Sequence, residues 1–357
     1  MKNAFSRGAA AVLATVALSL SGAALAQAPA AFAECAEIAV DSERLACYDR
    51  ASGRTPAAVP VPVPSPGQPP AAEPARTIQQ AQAPSAGALR APASLIDSAW
   101  GFEADSNRYT IDLYHQNYLL LARWTDNVNS APYQPLFQAA GQSEKIDSTE
   151  AKFQLSFKMR LWTTDDRRWG VWAAYTQQNQ WQVYNADISR PFRETNYMPE
   201  LLVSYRPGLD LGSGFQWNLL NLSLNHQSNG RTDALSRSWN RVIATFGVER
   251  ENFALLANLW YRLKEDQADD DNPDITDYYG YGSVTAIYKW RGNSFTLMGR
   301  GNVRTGKGAA QLSWMSPRLL GPLRAYAQIF SGYGESMIDY NWNQTTVGIG
   351  IALNDEL

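Results

Sequence analysis

From Leu219 to Val242 the chain reads LLNLSLNHQSNGRTDALSRSWNRV, and its first half alternates strictly. Leu220, Leu222 and Leu224 share one parity, while Asn221, Ser223, Asn225, Gln227 and Asn229 share the other. Side chains of an extended strand leave alternate faces, so this pattern predicts a strand, Trp217–Gln227, with one apolar and one polar face. The same period of two marks eleven further segments: Tyr118–Trp124, Ala151–Leu161, Gly170–Gln180, Glu200–Tyr205, Trp239–Val248, Phe253–Leu263, Tyr281–Trp290, Ser294–Val303, Ala309–Trp314, Leu323–Ser331 and Thr345–Leu353. In the last of these, bulky Val347, Ile349, Ile351 and Leu353 alternate with Gly348, Gly350 and Ala352. Bulky apolar groups facing out and small or polar groups facing in are the code of a membrane barrel. No segment is apolar for long enough to be a transmembrane helix once the N-terminal residues are set aside. The predicted fold is all-β: a twelve-stranded antiparallel transmembrane β-barrel, with its many Trp and Tyr residues in interfacial girdles.

Parity also sorts the candidate chemistry. His226 and Ser228 belong to the apolar set of their strand, and Asn240 shares the face of Val242, Ala244, Phe246 and Val248 in the next. All three are therefore expected on one lipid-side patch. Ser228 would attack, His226 would take its proton, and Asn240 would accept from the other imidazole nitrogen to fix the tautomer. A neutral amide in place of a carboxylate avoids desolvating a charge against hydrocarbon, at the expense of weaker support for the imidazolium. The Gly230 N–H is a candidate oxyanion donor, with a nearby cation as another. The second histidine, His115, has no serine at strand spacing and is read as structural or superficial. A serine and histidine two residues apart make a weak motif when taken alone.

The runs His226-Gln227-Ser228-Asn229-Gly230-Arg231 and Ser238-Trp239-Asn240-Arg241 resemble the outer-membrane phospholipase A family of Gram-negative bacteria. PFRETNY (191–197), DDNPDIT (270–276), SGYGES (331–336) and IDYNWNQT (338–345) match in the same order, and the likeness runs from about Asp112 onward. The resemblance implies a twelve-stranded barrel and a calcium-dependent Ser-His-Asn hydrolase acting on sn-1 and sn-2 acyl esters of phospholipids as a homodimer. It implies catalytic calcium held by the Arg231 carbonyl, the Ser236 hydroxyl, waters and the Ser189 carbonyl of a second protomer, with Asp233 and Asp271 at a second calcium position. Here Ser189-Arg190-Pro191-Phe192 stands where the family has Ser-Ser-Pro-Phe. Gln177 matches the family's glutamine at the dimer interface, where amides facing lipid would pair across a two-fold axis.

The remaining sequence divides into three parts before the barrel. Residues 1–26 carry Lys2 and Arg7, an Ala-rich apolar run and Ala24-Leu25-Ala26, which predicts a secretory signal peptide. Residues 27–50 hold the only two cysteines, Cys35 and Cys47, expected to form a disulfide in an oxidising compartment. Residues 51–97, rich in Pro and Ala, are expected to be a disordered periplasmic tether, leaving 98–357 as the barrel. The tether would place the 226–240 hairpin at the outer-leaflet side. Leu357 stands where outer-membrane barrels usually end in an aromatic, so weaker recognition by the outer-membrane assembly machinery is expected. Formal net charge is −3 with no basic stripe or phosphate-cradling loop, which excludes nucleic-acid binding. The alternative functions are a catalytically silent structural barrel or porin and, more remotely, a periplasmic β-sandwich esterase.

Overall fold

The structure, a computed structural model, describes residues 35, 37–38, 40–52, 94–139, 146–188, 190–266 and 270–357. The expected signal peptide, nearly all of the Pro/Ala-rich stretch and Ser189 lie outside them. The chain divides into two compact units, 1–86 and 87–357. In the first, helix α1 (Asp41–Ala51) is closed by a Cys35–Cys47 disulfide.

The second unit is the barrel. Among the described residues its strands are β1 (Ile111–Leu113), β2 (Asn117–Thr125), β3 (Thr149–Thr163), β4 (Trp169–Trp181), β5 (Phe192–Tyr205), β6 (Leu209–Gly212), β7 (Phe215–Ser228), β8 (Ser238–Arg250), β9 (Phe253–Arg262), β10 (Gly282–Trp290), β11 (Asn293–Asn302), β12 (Lys307–Leu320), β13 (Leu323–Tyr333) and β14 (Asn343–Asn354). Apart from the short β1 and β6, which pair with β3 and β7, twelve antiparallel strands follow one another, and β14 pairs with β2 to close the ring. Each segment predicted from period two falls on one of these twelve. The closing seam carries a bulge around Leu121, and there a Cβ on Gly350 would lie 1.9 Å from the Leu119 carbonyl oxygen. Only glycine fits that approach.

The alternation resolves as predicted. Leu222 (57% exposed), Leu224 (55%), Leu259 (58%) and Ile349 (62%) face outward, while Asn221, Ser223, Asn225 and Gln227 are buried inside. Exposed Trp162, Trp169 and Trp290 lie near one rim and Trp124, Tyr261 and Tyr281 near the other, the two girdles expected at the membrane interfaces. Turns β8–β9, β10–β11 and β12–β13 are short at one end. The longer connections, including those between β2 and β3, β7 and β8, β9 and β10, and β13 and β14, gather at the other. That asymmetry marks the short-turn end as periplasmic. No helix among the described residues is long and apolar enough to cross a membrane.

Two interior layers stiffen the barrel. Toward the long-loop end, Arg123, Lys152 and Arg193 interlock with Glu150, Glu335 and Asp339; Arg123 meets Glu150 at 2.9 Å and Lys152 meets Glu335 at 3.0 Å. Three cations balance three carboxylates, each at most 4% exposed, so each buried charge finds a counter-charge. At the periplasmic end, helix α2 (Leu95–Trp100) packs Ile96 and Trp100 against Trp172, Leu202, Leu219 and Leu256.

Helix α2 begins inside the stretch expected to be a tether, so the ordered barrel unit starts by Ser94 rather than at residue 98. The helix is capped by its own Ser94 and anchored by residues distant in the chain. The Ser94 hydroxyl accepts from the Asp97 N–H at 2.8 Å, Glu249 accepts from the Ile96 N–H at 3.0 Å, and Arg206 grips Asp97 through two bonds of 2.6 and 2.8 Å. Strand β5 also starts earlier than Glu200, because Arg193, Glu194 and Asn196 point into the barrel where polar partners receive them.

Candidate active site

Strands β7 and β8 form one hairpin whose register sets His226 opposite Asn240 and Ser228 opposite Ser238. His226 lies exposed on the outer face, with Ser228 and Asn240 half-buried beside it. The imidazole Nδ1 and Asn240 Oδ1 are 2.8 Å apart. With the amide oxygen as acceptor, the proton sits on Nδ1 and Nε2 is left free, the tautomer a general base needs. The Ser228 hydroxyl has no hydrogen-bond partner among the described residues. Such looseness is common in an unliganded hydrolase, where contacts to the nucleophile tighten with substrate.

Behind this outer patch the inner faces of the same strands are cross-braced. Arg241 donates to Asn225 at 2.6 Å and to Gln227 at 3.0 Å, Trp239 Nε1 donates to Gln227 at 2.9 Å, and the Arg241 guanidinium lies 4.0 Å from the Trp239 ring centroid. These contacts fix the neighbours of His226 and Asn240 on both strands, so the outer side chains stand on a rigid backing.

The loop between β7 and β8 is organised by Asn229. Its side chain accepts from the backbone N–H groups of Arg237 (3.0 Å) and Arg231 (3.3 Å) and donates to the Leu235 carbonyl (2.8 Å). Gly230 takes a left-handed φ of 62°, and a Cβ there would stand 3.0 Å from the Tyr197 ring. Its N–H has no partner among the described residues, and it follows Ser228 by two positions. A free backbone donor beside a nucleophile is suited to a developing oxyanion.

The other motifs support this loop. In DDNPDIT, Asp270 pairs with Arg262 at 2.5 Å and Asn272 accepts from the Ser238 N–H at 2.9 Å, docking the segment onto the start of β8. Helix α3 (Ile275–Tyr279) then carries Tyr279 against Trp239, and Asp274 accepts from Tyr340 at 2.8 Å. In SGYGES and IDYNWNQT, Glu335 and Asp339 enter the ionic layer, while Tyr340, with Met337 between the two motifs, packs with Trp239 and Trp260.

Docking of the 270–274 segment brings Asp271 to Ser236, whose hydroxyl donates to the carboxylate at 2.5 Å. Asp233 lies exposed at a left-handed φ of 53°. The Arg231 guanidinium donates to the Phe192 and Arg193 carbonyls, holding the loop against β5. Among the described residues no three His, Cys, Asp or Glu side chains cluster as a metal site. The donors present are nonetheless all hard oxygens, a hydroxyl, carboxylates and backbone carbonyls, which fit calcium in kind but fall short of its six to eight ligands in number. Gln177 lies half-buried on the outer face of β4, accepting from Tyr175 at 2.9 Å and donating to Asn179 at 3.0 Å.

His115 is accounted for by structure: its Nδ1 meets Glu356 at 2.6 Å. One contact at the outer patch had no sequence signal. The Asn240 amide nitrogen donates to Glu265 at 2.7 Å, across the register from the chain leaving β9.

A family model described as phospholipase A1 matches residues 97–353. The phospholipase A1 of Klebsiella pneumoniae is 39% identical over 252 residues, covering 70% of this chain and 84% of the relative. That of Escherichia coli strain K12 is 38% identical over 250 residues, covering 70% and 83%. The solved outer membrane phospholipase A from Escherichia coli superposes with a TM-score of 0.64 at 36% identity, over 70% of this chain and all of that one. The Salmonella typhi outer membrane phospholipase, solved as a dimer with bound calcium, gives 0.65 at 34%, over 74% and 98%. Matched across its whole barrel in sequence and in fold, this chain belongs to the phospholipase A1 family as an outer-membrane β-barrel.

Proposed function

We propose that the protein is a calcium-dependent phospholipase that hydrolyses sn-1 and sn-2 acyl esters of phospholipids, and lysophospholipids as well, with Ser228 as nucleophile. The reading rests on one observation above the others: a histidine bound to an asparagine at 2.8 Å beside a serine, all on the lipid face of an outer-membrane barrel. A soluble esterase would have no reason to place this set against hydrocarbon. A silent structural barrel would have no use for Nδ1–Oδ1 contact on an exposed outer surface.

In this mechanism an acyl chain lies along the apolar exterior formed by Leu222 and Leu224. Ser228 Oγ attacks the ester carbonyl as His226 Nε2 removes its proton, and the tetrahedral oxyanion accepts from the Gly230 N–H. His226 then returns the proton to the departing glycerol oxygen, and water hydrolyses the acyl-enzyme by the same steps in reverse roles. Asn240 holds the imidazole through Nδ1 throughout.

The Arg231 carbonyl and the Ser236 hydroxyl would hold calcium with waters and a Ser189 carbonyl from a second protomer, and Asp233 with Asp271 would form a second position. When bound, the cation supplies positive charge for the oxyanion. Gln177 would pair across the dimer axis, giving a homodimer as the active form; that the Salmonella typhi relative is a dimer with bound calcium supports the metal and the dimer.

Purified protein in detergent, incubated with phosphatidylcholine carrying distinct sn-1 and sn-2 chains, should release both fatty acids with calcium and neither with chelator. Release that is indifferent to chelator removes the metal from the account; no release under any condition, with a folded barrel, removes the enzyme.

A further inference from the structure

We propose that Glu265 is a positioning residue of the catalytic site, a fourth member that fixes the Asn240 amide and makes asparagine, rather than aspartate, the residue that fits there. The inference deepens the Ser-His-Asn reading and rests on it.

The placement follows from strand geometry. In the β8–β9 pairing Arg241 lies opposite Arg262 and Val242 opposite Tyr261. The Leu263 N–H donates to the Asn240 carbonyl at 2.8 Å, so the ladder continues one step past the end of β9. Tyr261 and Leu263 are exposed on the outer face, and the alternation carries Glu265 to that same side, diagonal to Asn240. There its carboxylate accepts from Asn240 Nδ2 at 2.7 Å.

The amide is thereby held from both ends. Its oxygen faces His226 Nδ1 at 2.8 Å and its nitrogen faces Glu265 at 2.7 Å. Because a carboxylate accepts only, the contact dictates which end of the amide carries NH2, and the oxygen is left aimed at the imidazole. An ionised carboxyl is otherwise expensive on the outer rim of a barrel, and Asn240 is the side chain that receives it here. Aspartate at position 240 would replace the amide donor with a second carboxylate, a like-charge pair with no N–H between them. Glutamine at 265 changes that arithmetic: its amide oxygen still accepts from Asn240, more weakly than the carboxylate does, and its NH2 could donate to an aspartate at 240.

The test is a double-mutant cycle on the full-length protein in detergent micelles, reading kcat and KM for fatty-acid release, with heat-modifiable electrophoretic mobility confirming that each variant is folded. Glu265→Ala should lower kcat about tenfold with KM unchanged, the worth of one charge-assisted hydrogen bond. Glu265→Gln, which keeps an acceptor for Asn240 but not its charge, should lose only part of that, about threefold. Asn240→Asp should lose activity, and Asn240→Asp combined with Glu265→Gln should recover about tenfold of it, since donor and acceptor are exchanged between the two positions. A purely structural Glu265 predicts no such rescue. Parental kcat in Glu265→Ala, or a double variant no faster than Asn240→Asp alone, overturns the proposal. Full activity in Asn240→Ala would instead overturn the triad reading beneath it, so the two failures are distinguishable.

Discussion

Removing Glu335 should unfold the barrel more readily than any substitution on its outer rim. The side chain enters from the connection between β13 and β14 and is 1% exposed. It bonds Arg123, accepts from Lys152 at 3.0 Å and Gln344 at 3.0 Å, and accepts from Thr346 at 3.1 Å. In Glu335→Ala the three buried cations Arg123, Lys152 and Arg193 face only Glu150 and Asp339, and Lys152 loses its one ion-pair partner among the described residues. An unpaired charge left by breaking a buried pair typically costs about 3–5 kcal/mol. Urea titration of the detergent-folded barrel, scored by electrophoretic mobility without boiling, should show a loss of that size. Lys152→Met together with Glu335→Leu removes one charge of each sign and should recover most of it, because apolar side chains tolerate burial where lone ions do not. A single variant within about 1 kcal/mol of the parent, or a double variant as unstable as the single, would refute the claim that charge balance rather than shape secures this layer.

Other consequences are more direct. Burial alone would push the Glu335 carboxyl up, but Arg123 and Lys152 outweigh it and hold it at about 2. A depressed folded-state pKa stabilises above the usual carboxylate range, so this contribution should be intact near neutrality and fade as pH falls from about 4.5 toward 2, visible as an acid-limb drop that Glu335→Gln lacks. Leu222→Arg, at the middle of β7 on the lipid face, should destabilise the folded barrel by about 2–4 kcal/mol, measured by refolding into vesicles, whereas Ser223→Ala on the inner face should leave the apolar exterior intact. Asn240→Ala should lower kcat about 10- to 100-fold and retain residual turnover, since a mis-set imidazole forfeits only part of what a general base supplies; a loss equal to that of Ser228→Ala would give Asn240 a role beyond orientation.

The sequence carried the barrel and the outer patch because both depend on short-range parity. Leu222, His226 and Ser228 share a face whatever lies around them, and a hairpin joining β7 to β8 sets Asn240 near His226 with few registers to choose from. Helix α2 was not legible, since six residues show little periodicity and its partners, the acceptor Glu249 on β8 and the donor Arg206 just past β5, lie more than a hundred positions away. The early start of β5 escaped for a related reason: Arg193 and Glu194 read as loop until the interior supplies Glu150 and Asn196. Glu265 lies in a charged connection, 264–271, where no residue stands out from its neighbours. Its meaning comes from the β8–β9 register continuing beyond the last strand residue, which no local pattern announces. The motifs around 191, 270 and 331 were recognisable as units, but what they do physically is dock loops and seat charges behind the hairpin.

The most direct test of the account is covalent labelling with a long-chain sulfonyl fluoride, followed by peptide mapping and an assay of fatty-acid release on the same sample. Modification of Ser228 alone, in step with loss of activity and abolished in His226→Ala, is the predicted result. Labelling at another serine with activity lost, or full activity with Ser228 modified, would contradict it.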